Sequence, residues 1–234
     1  MAVALSENSR VKVRRPSTFA LKQVMAITGI LFVAFVFIHM IGNLKVYWGP
    51  EALNAYAAWL RVVGYPLIPE RGVLWVLRVV LLASVIAHVG SALVLWARGR
   101  RARGRFRRRR LRGLMANGAR LMLPSGVVAL VFVVVHLLDL TIGRIVAPAS
   151  FSHGDAYGNL VASFSRLWMA AFYSLTMLLI GLHIFHGWRA LLQDLGATGH
   201  RLRLIWVSVG AFLALGILLG NATIPVLVQL GIIA

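Results

Sequence analysis

Apolar residues fill five blocks of this chain, roughly Lys22–Leu44, Gly72–Ala97, Ala119–Gly143, Phe164–Trp188 and Leu204–Ile232. Each runs for about 20 residues or more, enough for a helix to cross a hydrocarbon core of ~30 Å. None alternates apolar and polar positions as the strands of a membrane barrel do. The pattern predicts an all-α protein, a single domain over 1–234 built as an integral membrane bundle of five transmembrane helices. A basic loop, 98–118, joins the second block to the third. The first block follows Arg10, Lys12, Arg14 and Arg15, as a signal peptide would, but it is too long for one and no small-x-small cleavage site follows. No period marks a tandem repeat. Between the first two blocks Leu53, Tyr56, Ala57, Leu60 and Val63 fall at helical spacing. They predict a short amphipathic helix over Pro50–Gly64, lying at the outer interface. Pro66, Pro69 and Gly72 end it, and Ala147–Gly158 reads as a second outer loop.

Charge orients the bundle. Of 234 residues 60% are hydrophobic and 13% charged, against about 25% charged in an ordinary soluble domain. A disordered chain would be poor in apolar residues, so that class is excluded as well. The net charge is +19, carried by 25 Lys and Arg. Arg10, Lys12, Arg14, Arg15 and Lys22 lie before or at the start of the first block. Eleven arginines lie from Arg98 to Arg120, and Arg189, Arg201 and Arg203 follow the fourth block. All of these fall on one face. The positive-inside rule puts that face and the N-terminus in the cytoplasm, and five crossings put the C-terminus outside. A basic run between membrane helices anchors to lipid headgroups or meets a cytoplasmic partner with an acidic face. No nucleic acid is expected.

The chain has no cysteine, which excludes disulfides, iron–sulfur ligation by this chain and covalent haem attachment. Any metal must be held by His, a carboxylate or main-chain oxygen. Of seven histidines, His153 and His200 lie in loops; His39, His88, His136, His183 and His186 lie within apolar blocks. An ionisable residue inside a bilayer is costly and is a functional candidate by default. At 1.5 Å per residue, His39 lies about 25 Å from Lys22 and His136 about 24 Å from Arg120. By the same rise His88 lies about 15 Å from Arg98 and His183 about 9 Å from Arg189. The histidines thus form an outer pair, His39 with His136, and an inner pair, His88 with His183.

Two neutral imidazoles facing each other from two helices suit a b-type haem with both axial positions filled by His. Such a haem has no open position for a ligand and transfers electrons. Two of them, one above the other, would cross the bilayer. Gly29, Gly42, Gly90, Gly126 and Gly181 offer room for a flat macrocycle, although small residues also serve helix packing. A zinc site on His183 and His186 is a rival, but no carboxylate lies close in sequence to complete it. The alternative function is a haem-free membrane anchor or transport bundle using its intramembrane histidines for quinone binding or proton relay.

Three motifs carry a resemblance. The first is Met25-Ala26-Ile27-Thr28-Gly29 with His39-Met40-Ile41-Gly42-Asn43-Leu44. The second is Asn54-Ala55-Tyr56-Ala57 with Leu60-Arg61. The third is Gly181-Leu182-His183-Ile184-Phe185-His186-Gly187 with Leu195-Gly196. From about Ser17 onward the chain resembles the five-helix, di-haem cytochrome b membrane subunit of succinate dehydrogenases and fumarate reductases. The resemblance implies axial pairs His39–His136 and His88–His183, with His183 rather than His186 as the ligand. It implies two haem b here, with FAD and iron–sulfur clusters in partner subunits on the cytoplasmic side. It also implies a multi-pass location in the cell inner membrane, a quinone substrate, often menaquinone, and an enzyme complex that could form a higher oligomer. The succinate-binding flavin site would lie on a partner.

Quinone chemistry also needs protons. Of six acids only Asp139 lies within an apolar block, three residues after His136 and so on the same α-helical face. It is a candidate for proton exchange with a quinone; its structural alternative is a pair with Arg144 or Arg78. Glu70 is a second candidate. Arg78, about 9 Å inside the second helix, could pair with a haem propionate or snorkel to the surface.

Overall fold

A computed structural model of the chain describes residues 16–105, 114–196 and 199–234. They form α1 (Thr18–Asn43), α2 (Pro50–Val62), α3 (Gly72–Arg103), α4 (Leu114–His136), α5 (Ala156–Phe164), α6 (Leu167–Asp194) and α7 (His200–Gln229). No strand occurs among the described residues. α1, α3, α4, α6 and α7 are each long and apolar enough to cross a membrane. The fold is therefore the all-helical, five-span bundle that the hydrophobic blocks predict.

The boundaries depart from the blocks where polar chemistry intervenes. α1 starts at Thr18 because the Ser17 hydroxyl accepts the Ala20 N–H at 3.0 Å and so satisfies a first-turn donor. α3 continues past Ala97 to Arg103, since arginine is a good helix former once outside the apolar region. The expected loop 98–118 is therefore helical at its start and again from Leu114. Arg107–Arg110 and Arg112 lie outside the described residues, as do Arg10, Lys12, Arg14 and Arg15. The fourth block does not begin a span at Phe164. That residue ends the short α5, Arg166 adopts an extended backbone, and α6 begins at Leu167. Hydropathy alone runs through this break because both flanks are apolar.

We call the end holding the start of α1 and the ends of α3 and α6 the basic end. There Lys22 Nζ meets Asp194 Oδ1 at 2.6 Å, and Arg98 donates to Thr18 Oγ1 and the Pro16 carbonyl. At the far end α2 docks on α5 through one asparagine. Asn54 donates to Asp155 Oδ1 at 2.9 Å and accepts the Tyr157 N–H at 3.0 Å. Asp155 in turn caps α5 by accepting the Gly158 N–H at 2.9 Å. These hydrogen bonds hold its carboxyl below the usual carboxylate range.

Packing divides the bundle into two halves. α1 lies on α3, α4 lies on α6, and the halves meet where α1 packs against α6 and where α7 packs along α6 and against α1. Gly181 lets α6 approach Ala214 and Leu218 of α7, and the Trp188 ring lies against Gly210. Among the described residues no extended packing joins α1 to α4 or α3 to α6. The largest buried cluster lies at the far end and includes Val46, Leu53, Phe164, Met169, Tyr173 and Ile224.

Candidate functional site

The intramembrane histidines occupy two levels. His88 is the seventeenth residue of α3 and His183 the seventeenth of α6. Both are half-buried. Each ring is held by a hydroxyl from the neighbouring helix of its own half. Thr28 Oγ1 on α1 is 2.9 Å from His88 Nδ1, and Ser125 Oγ on α4 is 2.9 Å from His183 Nδ1. Each hydroxyl also bonds back to its own helix, Thr28 to the Val24 carbonyl at 2.7 Å and Ser125 to the Leu121 carbonyl. A Cβ at Gly29 would stand 3.8 Å from His88 Cε1, and one at Gly126 would stand 3.3 Å from His183 Cε1. The two glycines make the recesses in which the rings rest.

The second level lies about 16 Å further along the axis, eleven residues at the α-helical rise. There the His39 and His136 rings face each other from α1 and α4 with centroids 5.9 Å apart and planes at 78°. Phe35 stacks on His39 and Phe132 on His136, at 5.6 and 5.5 Å. His39 is exposed and His136 half-buried. Tyr173 Oη lies 3.5 Å from His136 Nδ1 and donates to Asp139 Oδ2 at 3.1 Å. Asp139 is fully buried. It also accepts from Arg166 Nη2 at 2.9 Å and from the Ser163 hydroxyl. Arg166 is anchored further by the Val146 carbonyl at 2.6 Å.

A family model described as succinate dehydrogenase/fumarate reductase transmembrane subunit matches residues 100–219, just over half of the chain. The chain belongs to that family. No curated protein and no solved structure matches it. As a succinate dehydrogenase/fumarate reductase transmembrane subunit, it is a multi-pass membrane anchor that associates with the catalytic subunits of such a complex.

The matched stretch contains Ser125, His136 and His183 but starts after Thr28, His39 and His88. The earlier half of this transmembrane subunit is tied to the later half by its own sequence. Met25, Thr28, Gly29, Phe35 and His39 recur at the same spacing as Met122, Ser125, Gly126, Phe132 and His136. Two copies so far apart make no tandem period, which is why periodicity does not show them; a two-copy pattern at matched helix depth does. That pattern also singles out Thr28 and Ser125, which hydropathy passes over.

Several candidates sit differently from their sequence expectation. Asp139 pairs with Arg166, not with Arg144 or Arg78. Leu137–Ile142 is wound as a π-helix ending at Gly143 in the left-handed region. Its wider turn rotates Asp139 off the His136 face that α-helical counting assigns it, into the junction with α5 and α6. Tyr173, Ser163 and Arg166 lie 24 to 34 positions away along the chain, beyond any local motif. Arg78 is exposed, its guanidinium 5.0 Å from the Trp75 ring. Gly42 lies against the Tyr56 ring, and Gly181 against α7. Those two glycines therefore serve packing rather than room beside the imidazoles. His186 is half-buried with its ring against Phe185.

Proposed function

We propose that this anchor subunit passes electrons from iron–sulfur clusters of a partner subunit to a membrane quinone by means of two b-type haems, each held by two of its histidines. The observation that carries the reading is the facing of imidazoles across the two halves. The His39 and His136 centroids are 5.9 Å apart. The donor set, neutral imidazole without thiolate or carboxylate, suits a haem iron with both axial positions filled.

His39 and His136 would hold one haem and His88 and His183 the other. When bound, the haems would supply one-electron transfer between the clusters and the quinone. The residues around them fix ring orientation and exclude charge: Phe35 and Phe132 wall the outer imidazoles, and Thr28 and Ser125 hold the inner ones. Arg78 is the candidate for a propionate at the outer level. Asp139 is the candidate for proton exchange with quinone, and the Tyr173 hydroxyl is its link to that level.

The complex would interconvert succinate and quinone with fumarate and quinol, with menaquinone the expected quinone and the flavin site on a partner. The basic end would face the cytoplasm from the inner membrane and receive the iron–sulfur subunit. The test is a reduced-minus-oxidised spectrum and an extracted-haem assay on the purified complex. Two low-spin, non-covalent b haems per chain are expected. A haem content near zero in a complex that retains its soluble subunits would overturn the reading and leave a haem-free anchor.

A further inference from the structure

We infer that Thr28 and Ser125 are positioning residues that set the tautomer of His88 and His183, each accepting the Nδ1–H and so presenting Nε2 as the metal-binding nitrogen. The inference rests on the haem reading above and concerns residues to which that reading gives no electronic role.

A hydroxyl has one proton and two lone pairs. The Thr28 proton is committed to the Val24 carbonyl at 2.7 Å, since a carbonyl oxygen only accepts. The contact of Thr28 Oγ1 with His88 Nδ1 at 2.9 Å must then use a lone pair of the hydroxyl. The ring nitrogen is therefore the donor. Ser125 repeats the arrangement, with its proton on the Leu121 carbonyl and His183 Nδ1 at 2.9 Å. A neutral imidazole carries one N–H, so Nε2 keeps its lone pair in both rings.

The arrangement occurs twice, once between α1 and α3 and once between α4 and α6, at matching positions of the repeated pattern. Gly29 and Gly126 follow the two hydroxyl residues, and a side chain at Gly126 would crowd the His183 ring. The recess and the hydroxyl thus come as a two-residue unit. The outer level lacks this unit: among the described residues no hydroxyl hydrogen-bonds His39, and the hydroxyl nearest His136 Nδ1 is that of Tyr173 on α6, at 3.5 Å.

An acceptor on the far nitrogen makes an imidazole a stronger donor to a metal. It favours the more positive oxidation state of the iron and lowers its reduction potential. Removing the acceptor should raise the potential of the inner haem alone.

The experiment is a potentiometric titration, with low-spin ferric EPR, of the purified complex carrying Thr28→Val, Thr28→Ser, Ser125→Ala or the Val/Ala double change. We expect both haems to be kept in the single variants. One component should move to higher potential and change its EPR signal while the other stays fixed. The double variant should move it further, and Thr28→Ser should restore the wild-type value. Loss of that one component alone in the double variant would also support the role. Unmoved potentials and spectra in haem-loaded variants, equal shifts of both components, or loss of both haems would overturn it. A wild-type complex without haem would instead overturn the underlying reading.

Discussion

The inner and outer levels hold the same pair of side chains by opposite means. At the inner level each imidazole has one neutral hydroxyl from the adjoining helix, and the two halves match. At the outer level the match is lost. The position on α1 that corresponds to Asp139 is Gly42, and the position on α3 that corresponds to Tyr173 is Arg78. One half carries a buried carboxylate tied to Arg166, Ser163 and Tyr173. The other carries a glycine against a tyrosine ring and an exposed arginine. A hydroxyl orients an imidazole without adding charge to the hydrocarbon. A carboxylate at the same depth needs its own cation, and the fold supplies one by breaking the helix at Arg166. The asymmetry of the outer level follows from placing one charge there.

The largest effect should come from separating that charge from its partner. Arg166→Leu would leave Asp139 buried and unpaired, at a cost of about 3–5 kcal/mol. Asp139→Asn removes the charge and keeps an acceptor, and Arg166 retains partial access to water, with its side chain 26% exposed. Thermal unfolding in detergent should therefore show Arg166→Leu as much the more damaging. Equal losses would mean that the ion pair is incidental to the outer level.

A smaller effect is expected at the α2–α5 junction that closes the far end. The depressed pKa of Asp155 means that its folded state favours the carboxylate. Its contribution is fully present above the unfolded value of about 3.9 and is lost as the pH falls through the lower native value. Asp155→Ala should cost about 1 kcal/mol, as the loss of an N-cap does. Hydrogen exchange of α5 amides should speed up in the variant at neutral pH. Unchanged exchange would remove the cap from the account. The smallest effect belongs to His186, whose ring lies against Phe185 one turn from the inner level. His186→Ala should keep both haems with unchanged potentials, and loss of either would move the inner ligand from His183 to His186.

Much of this architecture is legible in the residues. Five apolar blocks give five spans, and one histidine on each of the first four, with His186 as an extra on the fourth, gives two depths. The inner depths agree only loosely when measured from Arg98 and Arg189, because α3 and α6 run on to Arg103 and Asp194. Counted from the far end, His88 and His183 match. The break at Arg166 and the π-helical turn under Asp139 were not legible. The first sits between two apolar stretches, and the second invalidates any count at 3.6 residues per turn. Thr28 and Ser125 look like ordinary small polar residues of a membrane helix until the two copies of their surrounding pattern are set side by side.

The central claim is that imidazoles pair across the halves at each level, and it is tested most directly by single replacements of the four histidines with component-resolved haem spectra. His39→Ala and His136→Ala should delete the same spectral component, and His88→Ala and His183→Ala the other. The inner pair should also be needed for any reduction by succinate, whereas loss of the outer pair should leave the inner component reducible. If His39→Ala and His88→Ala delete the same component, the paired levels do not exist as described.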